Sequence, residues 1–459
     1  MATALLRMLG VDRAVGYGVL TRVWSLAAGP LTILTVATRM SKEQQGFYYT
    51  FSSLLALQIF FELGLTTVIA QFASHESAFL TWSPNGAYDG DPACRERLTG
   101  LLCKSVRWYG CIALLMILTV IPCGMFFLDQ GQLGVTAFQW RIPWILAVLG
   151  TAANLMTVPF FAVILGSGDV ATVNKREMIG AIAGTCASLL VLLLGGGLYA
   201  IFTVICGNAI TAWWFLLSRK AVLVKTAWVG RAHSAKHYGG TTADIDWRRE
   251  IWPMQWKIAL SWASGYFIFQ IFTPVLFHYH GAVVAGQMGI TLSASTALLG
   301  TAYAWQQTKS PELGKLVAMK RWQELDATFF RVFWQSFGVV VCGAVAGWGL
   351  IALLQVHHPL GNRFIPASQV ALLLAAASVN TLVSGFAVYL RAHKKDPFMA
   401  LSLVIAAIQG IATWYLGMRY SSLGVSSGFL LVSLVVGLPA AYLIWSHCRT
   451  TWHADSVTL

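Results

Sequence analysis

Four side chains in this 459-residue sequence place charge where it is costly. Arg22 and Glu62 lie inside long apolar stretches, and Lys257 and Lys309 stand at the ends of two others. A charge in the hydrocarbon of a bilayer costs roughly 3 kcal/mol or more unless it is paired, hydrated or bound to a ligand, so each is a functional candidate. Arg22 falls within "VLTRVWSLAAGP" (Val19 to Pro30), and helical periodicity aligns it with Ser25, Gly29 and Thr32. Gln58, Glu62 and Thr66 form a similar polar stripe one segment later. At about 1.5 Å per residue, Arg22 stands roughly 10 Å and Glu62 roughly 15 Å from the same side, so the two can meet.

Two chemistries follow. An Arg22–Glu62 pair would neutralise both charges and fix one helix against its neighbour. Alternatively, Arg22 faces a cavity as ligand for an anionic head group, with Glu62 orienting it or carrying a coupling proton. A guanidinium fork suits a phosphate better than the point charge of a lysine does. Lys257, which shares a helix face with Ser261 and Ser264, and Lys309, which follows Gln306 and Gln307, are further head-group candidates. They sit nearer the surface, where charges that merely set topology are equally natural. Ser25, Thr32, Gln58 and Ser261 would supply the polar lining. Asn154, Asn208, Asn380 and Ser384 read as helix–helix hydrogen-bonding residues. The histidines at 278, 280, 357 and 358 have no third partner at metal-ligand spacing, and "GSGD" (Gly166 to Asp169) reads as a helix-ending turn. All eight cysteines stand singly. No metal, cofactor or catalytic pair is called for.

The elements that position these residues follow from composition. The chain is 57% hydrophobic and 11% charged, against about 25% charged in a soluble domain. Met178 to Ser218 and Ile258 to Thr308 carry no Lys, Arg, Asp or Glu at all. With roughly 20 apolar residues needed per crossing, the chain divides into about twelve transmembrane helices, an all-α polytopic membrane protein. Taking the N-terminus as cytoplasmic, 25 of the 31 Lys and Arg residues fall on the cytoplasmic side, which also places the C-terminus there. The net charge of +13 therefore reports topology rather than a nucleic-acid partner. Arg22 interrupts the first apolar segment, which runs past signal-peptide length and reads as a span.

The long basic break from Arg219 to Trp252 separates six spans from six. We expect an N-terminal bundle (1–218), a cytoplasmic linker (219–252) and a C-terminal bundle (253–459). A faint repeat agrees: each half has a helix, a short external turn and then Gly46 or Gly286. "GGG" (Gly195 to Gly197) marks a tight turn between the fifth and sixth spans. The external loops are short, which disfavours an enzyme needing a catalytic domain outside the membrane.

One stretch is more specific. "RMSKEQQGFYYTFSSLLALQIFFELGLTTVIAQFASHE" (Arg39 to Glu76) resembles the polysaccharide transporters of the multidrug/oligosaccharidyl-lipid/polysaccharide exporter superfamily. There, an "S-x-E-x-x-G" turn (here Ser41, Glu43, Gly46) precedes a second helix ending in "E-L-G" (Glu62 to Gly64). Arg22-x-Trp24, "WQQTKSPELGKL" (Trp305 to Leu316) and the six-plus-six layout extend the resemblance over nearly the whole chain.

The resemblance implies two six-helix lobes in a MATE-like V around a central cavity, in the bacterial inner membrane. By alternating access they would flip undecaprenyl-pyrophosphate-linked oligosaccharide to the periplasmic leaflet. Membrane lipids and a polysaccharide polymerase complex would be its partners, and Arg22, Lys257 and Lys309 its head-group ligands. It tilts the reading of Arg22 toward ligand. The alternatives are a cation-coupled drug antiporter of the same superfamily using Glu62, a membrane glycosyltransferase or polysaccharide polymerase, and a structural assembly partner.

Overall fold

The computed structural model describes residues 13–129, 136–229, 247–393, 395 and 397–454. The first part of the chain forms α1 (Arg13–Arg39), α2 (Lys42–Leu55), α3 (Gln58–Glu62), α4 (Leu65–Ser77) and a hairpin of β1 (Leu80–Trp82) with β2 (Tyr88–Gly90). It continues through α5 (Pro92–Asp129), α6 (Ala137–Leu155), α7 (Val158–Gly166), α8 (Val170–Leu193), α9 (Tyr199–Arg219) and α10 (Ala221–Val229). The rest forms α11 (Trp252–Phe269), α12 (Phe272–Thr308), α13 (Ser310–Ala318), α14 (Trp322–His357), α15 (Ala367–Ala392), α16 (Phe398–Val432) and α17 (Leu438–Ala454).

Nine helical stretches among the described residues are long and apolar enough to cross a membrane, or ten if the bent pair 42–62 and 65–77 is one crossing. Two of them, Gln255–Ala318 and Phe398–His453, run to 64 and 56 residues. Each is more than twice the roughly 20 residues a crossing needs. Each contains a residue with non-helical backbone, Gly281 (φ 82°) and Ser421 (φ 55°), at the points where the sequence divides its spans. Large apolar side chains such as Leu118, Phe126, Val356 and Ile411 are exposed, which in water would be prohibitive and in lipid is the expected outward face. This is a multi-pass membrane protein.

Contacts gather the chain into two compact units, one of residues 1–28 and 54–263 and one of 29–53 and 264–459. The segment 29–53, which the sequence places in the N-terminal bundle, thus packs within the second unit. Most of the linker, residues 230–246, lies outside the described residues. Its end does not: Glu250 accepts from Arg97 Nη2 at 2.8 Å, and Arg97 Nε donates to Glu76 at 2.8 Å. One arginine on α5 therefore ties the approach to α11 to the end of α4.

In the first unit α8 and α9 meet through glycines. A Cβ on Gly184 would stand 2.7 Å from the Val204 carbonyl oxygen, and one on Gly207 2.5 Å from Gly184 Cα. Lipid offers helices no hydrophobic drive to associate, so such close backbone approach supplies the packing. Gly195 and Gly197, both at positive φ, make the turn between these helices. The β1–β2 hairpin was not anticipated, although Pro84-Asn85-Gly86 between Trp82 and Tyr88 is a turn signal in the sequence. Its rings pack 5.0 Å apart, and the half-buried Tyr88 hydroxyl meets Thr99 at 2.8 Å. Burial is the main cause that pushes its pKa above that of a free tyrosine.

The second unit is organised around the turn that carries the "S-x-E-x-x-G" residues. Ser41 caps α2 reciprocally with Gln44: the Gln44 amide donates to Ser41 Oγ (3.1 Å) and the Ser41 amide to Gln44 Oε1 (3.2 Å). Gln45 Nε2 donates to the Gly286 carbonyl at 2.8 Å, and Arg363 Nη2 to the Met40 carbonyl at 2.7 Å. Gly46 crosses α12 so closely that a Cβ there would lie 1.9 Å from the Ala282 carbonyl oxygen, while one on Gly286 would lie 2.7 Å from Gly46 N. The two glycines of the faint repeat thus touch one another. Further along, Gln306 is a buried hub, bonded to Ser336 and the Thr381 carbonyl and accepting from Ser384. Asp326, Arg449 and Tyr389 form an ion pair and hydrogen bond beside the aromatic core of Phe329, Phe386 and Trp445.

Gly46→Val should therefore overpack the α2–α12 crossing by about 3 kcal/mol, seen as loss of monodisperse protein in detergent and a lowered melting temperature. Gly110→Ala, where a Cβ meets nothing within 4 Å, should melt at or above the wild-type temperature.

Candidate functional site

The residues singled out in the sequence divide between the units. Arg22, Ser25, Gln58, Glu62, Lys257 and Ser261 belong to the first, Thr32 and Lys309 to the second.

The site centres on a break in the second crossing. α3 stops at Glu62; Leu63 (φ 52°) and Gly64 (φ 65°) both take left-handed backbone, and the helix restarts as α4 with a bend of 44°. The "E-L-G" stretch thus interrupts its helix rather than ending it. Glycine accepts such a φ freely and leucine does so at a cost of about 1–2 kcal/mol. The contacts on either side must hold it. One is a side chain: Thr66 Oγ1 donates to Glu62 Oε1 across the break, with the Tyr109 hydroxyl 3.3 Å from Thr66 Oγ1. The other is packing: a Cβ on Gly64 would fall 2.3 Å from Ile258 Cγ2, so α11 lies directly against the break.

Lys257 precedes that Ile258. Its side chain is exposed, with Nζ 5.9 Å from the Trp256 ring centroid, and Ser261 is half-buried one turn on. The break, Glu62 and the start of α11 with Lys257 are therefore brought into one neighbourhood. Gln58 is half-buried at the start of α3.

Arg22 is not brought to Glu62. Its side chain is exposed and has no ion pair or hydrogen bond among the described residues. Ser25, on the same stripe, turns its hydroxyl back to the Thr21 carbonyl at 2.9 Å. Val19, Val23 and Leu26 around it are exposed as well, so this part of α1 offers one cation on an otherwise apolar surface. In the second unit Thr32 is half-buried. Lys309 caps α12 and pairs with Glu312 at 2.8 Å, both about half exposed.

Beside the break the first unit carries an apolar groove of about 440 Å³, walled by Leu57, Phe60, Phe61, Val120, Phe127 and Trp144. α3 and its N-cap thus bear polar residues at 58 and 62 and groove-lining residues at 57, 60 and 61. Gly124 leaves room for the Trp144 indole, which a Cβ would meet at 2.2 Å. Sequence reasoning missed Tyr109 and this groove; the i, i+4 pair Glu62–Thr66 was the readable part. Arg176, one of the cations on the cytoplasmic side in the charge count, also serves helix packing. Arg176 Nη2 donates to the Asn208 carbonyl at 2.7 Å and its guanidinium lies 4.8 Å from the Phe161 ring. Asn380 and Ser384 do bridge helices, to Ser433 and Gln306.

No family model and no curated protein matches the sequence. Solved structures do match over nearly the whole chain. The lipid II flippase MurJ in an inward closed conformation superposes with a TM-score of 0.57 at 13% identity, covering 96% of this chain and 90% of that one. The eukaryotic MATE transporter AtDTX14 gives 0.55 at 10% identity, over 96% and 97%. An inward-facing multidrug-resistance MATE family transporter of the MOP superfamily gives 0.52 at 14% identity, over 92% and 99%. The protein has the all-α, MATE-like fold of MOP-superfamily transporters.

Two substitutions separate the roles of the charges. Arg22→Ala should change unfolding free energy in mixed micelles by less than about 0.5 kcal/mol, because no ion pair or hydrogen bond among the described residues is lost. Glu62→Ala should cost about 1 kcal/mol, because Thr66 and Tyr109 lose their partner beside a strained break. Equal costs for the two, with rescue in the charge-swapped double variant, would establish an ion pair instead.

Proposed function

We propose that this protein is a transporter that flips undecaprenyl-pyrophosphate-linked oligosaccharide from the cytoplasmic to the periplasmic leaflet, by alternating access, in surface-polysaccharide biosynthesis. One observation carries the reading: Arg22 lies within an apolar crossing, exposed, and without a partner among the described residues. A guanidinium in that position is tolerated where it faces water or a counter-anion, and its fork matches phosphate oxygens. The deep acid is engaged within the chain, with Glu62 Oε1 accepting from Thr66 across the break. A cation-binding antiporter would need that carboxylate for its cargo.

Three features support the lipid-linked class. The groove beside α3 has the apolar lining an isoprenoid tail uses. Lys257 adds an exposed cation on the helix packed against the break. One fold relative is a lipid II flippase. Lys309 is the weaker ligand of the three, since it serves Glu312. The protein then sits in the bacterial inner membrane with both termini cytoplasmic, in two lobes divided near the 219–252 linker, handing its cargo to a polysaccharide polymerase.

In cells, Arg22→Ala should reduce surface-polysaccharide assembly at least 10-fold at unchanged protein level, while Arg22→Lys keeps partial function. Lipid-linked repeat units should accumulate on the cytoplasmic leaflet. Wild-type assembly by Arg22→Ala would remove Arg22 from the substrate path. Intact assembly together with loss of drug efflux in Glu62→Gln would establish the antiporter.

A further inference from the structure

A second basic cavity lies in the first unit, where α8 begins and α9 ends. About 350 Å³ in volume, it is lined by four cations, Lys175, Arg176, Arg219 and Lys220, by one acid, Asp169, and by the Trp214 indole. The acid is already committed. Asp169 Oδ2 lies 3.7 Å from Lys220 Nζ, and its Oδ1 accepts the Thr172 amide as the cap of α8. Lys220 is buried under the hairpin turn, where a Cβ on Gly86 would stand 3.2 Å from its Cδ. Three cations remain on the wall, and Glu177, the neighbour of Arg176 on α8, is not part of that wall.

Arg176 is held ready. The Asn208 carbonyl and the Phe161 ring fix its guanidinium, and its Nε is buried with no hydrogen-bond partner among the described residues. The glycine-packed α8–α9 hairpin keeps the cations of both helices at fixed spacing. Next to them α9 turns outward an apolar surface: Trp214 is 62% exposed, Ile210 66% and Leu217 58%. Cations beside an exposed apolar helix face, at the end of two membrane crossings, match a ligand with an anionic head and a hydrocarbon body.

We infer that this cavity binds the phosphate head group of an acidic bilayer phospholipid, with Lys175, Arg176 and Arg219 as ligands and Trp214 against the acyl region. It rests on the membrane embedding of the fold and is independent of what the protein transports.

The test uses the purified full-length protein in detergent. Dioleoyl phosphatidylglycerol should raise its melting temperature and dioleoyl phosphatidylcholine should not. Lys175→Gln with Arg219→Gln, two exposed side chains, should weaken the apparent phosphatidylglycerol affinity about 30-fold; the charge-matched Lys315→Gln with Lys320→Gln should leave it unchanged. In the wild-type chain, brominated phosphatidylglycerol should quench a component of tryptophan emission that Trp214→Phe removes. Equal stabilisation by inorganic phosphate would assign the cavity to a free anion and overturn the lipid. Wild-type affinity in the double Gln variant, or quenching that does not depend on Trp214, would overturn the site.

Discussion

Backbone in hydrocarbon has to satisfy its own amide and carbonyl groups, and every other feature of this structure answers to that constraint. It is why the described residues are nearly all helix, and why departures from helix are few and accompanied. The break at Leu63–Gly64 shows the form such compensation takes. A threonine and a glutamate reach across it, and the Tyr109 hydroxyl lies 3.3 Å from the threonine oxygen. Ile258 fills the space where a side chain at Gly64 would be. The strained leucine is therefore embedded in packing rather than left to bend freely. A polar cluster, an apolar groove and a lysine-bearing helix meet at this one discontinuity.

The same constraint gives the glycines their work. Lipid competes for apolar side chains on equal terms, so helices gain by bringing backbones close. Gly46 against Gly286, and Gly184 against Gly207, do this in the two units. Residues of the "S-x-E-x-x-G" turn thereby acquire a physical reading: Ser41 starts the helix with a reciprocal cap, and Gly46 lets it cross α12 in contact.

Much of this could be read in the sequence because it is local. Apolar runs located the crossings, "GGG" the α8–α9 turn, and "HYHG" (His278 to Gly281) the division of the longest helical stretch. Residues that act over distance could not be read in that way. Periodicity put Arg22 and Glu62 at comparable depths, yet depth does not fix the rotation of one helix about another, and the two are not paired. Leu63 gives no local sign of a left-handed backbone, since its conformation is imposed by neighbours on α5 and α11. The role of Arg176 depends on Asn208 and Phe161, which lie on two other helices. The assignment of 29–53 to the second unit likewise depends on a contact, Gly46 with Ala282, between residues more than two hundred positions apart.

Sorting the cations by what they touch separates structure from function more sharply than depth does. Arg97 serves Glu76 and Glu250, Arg449 serves Asp326, Arg141 serves Asp129, Arg321 serves Glu324 and Lys309 serves Glu312. All of these pairs lie toward helix ends, where water shares the cost of charge and an exposed pair contributes at most about 1 kcal/mol. Their role is registration of helix ends. Arg22 breaks the pattern twice, by sitting within a crossing and by having no carboxylate among the described residues. A structural charge placed there would carry the larger desolvation cost without the compensation that these shallower ones receive. The cost is offset if the compensating anion belongs to a ligand rather than to the chain. A site that binds and releases its cargo requires that arrangement, because a cation already neutralised by its own protein has no charge left to offer.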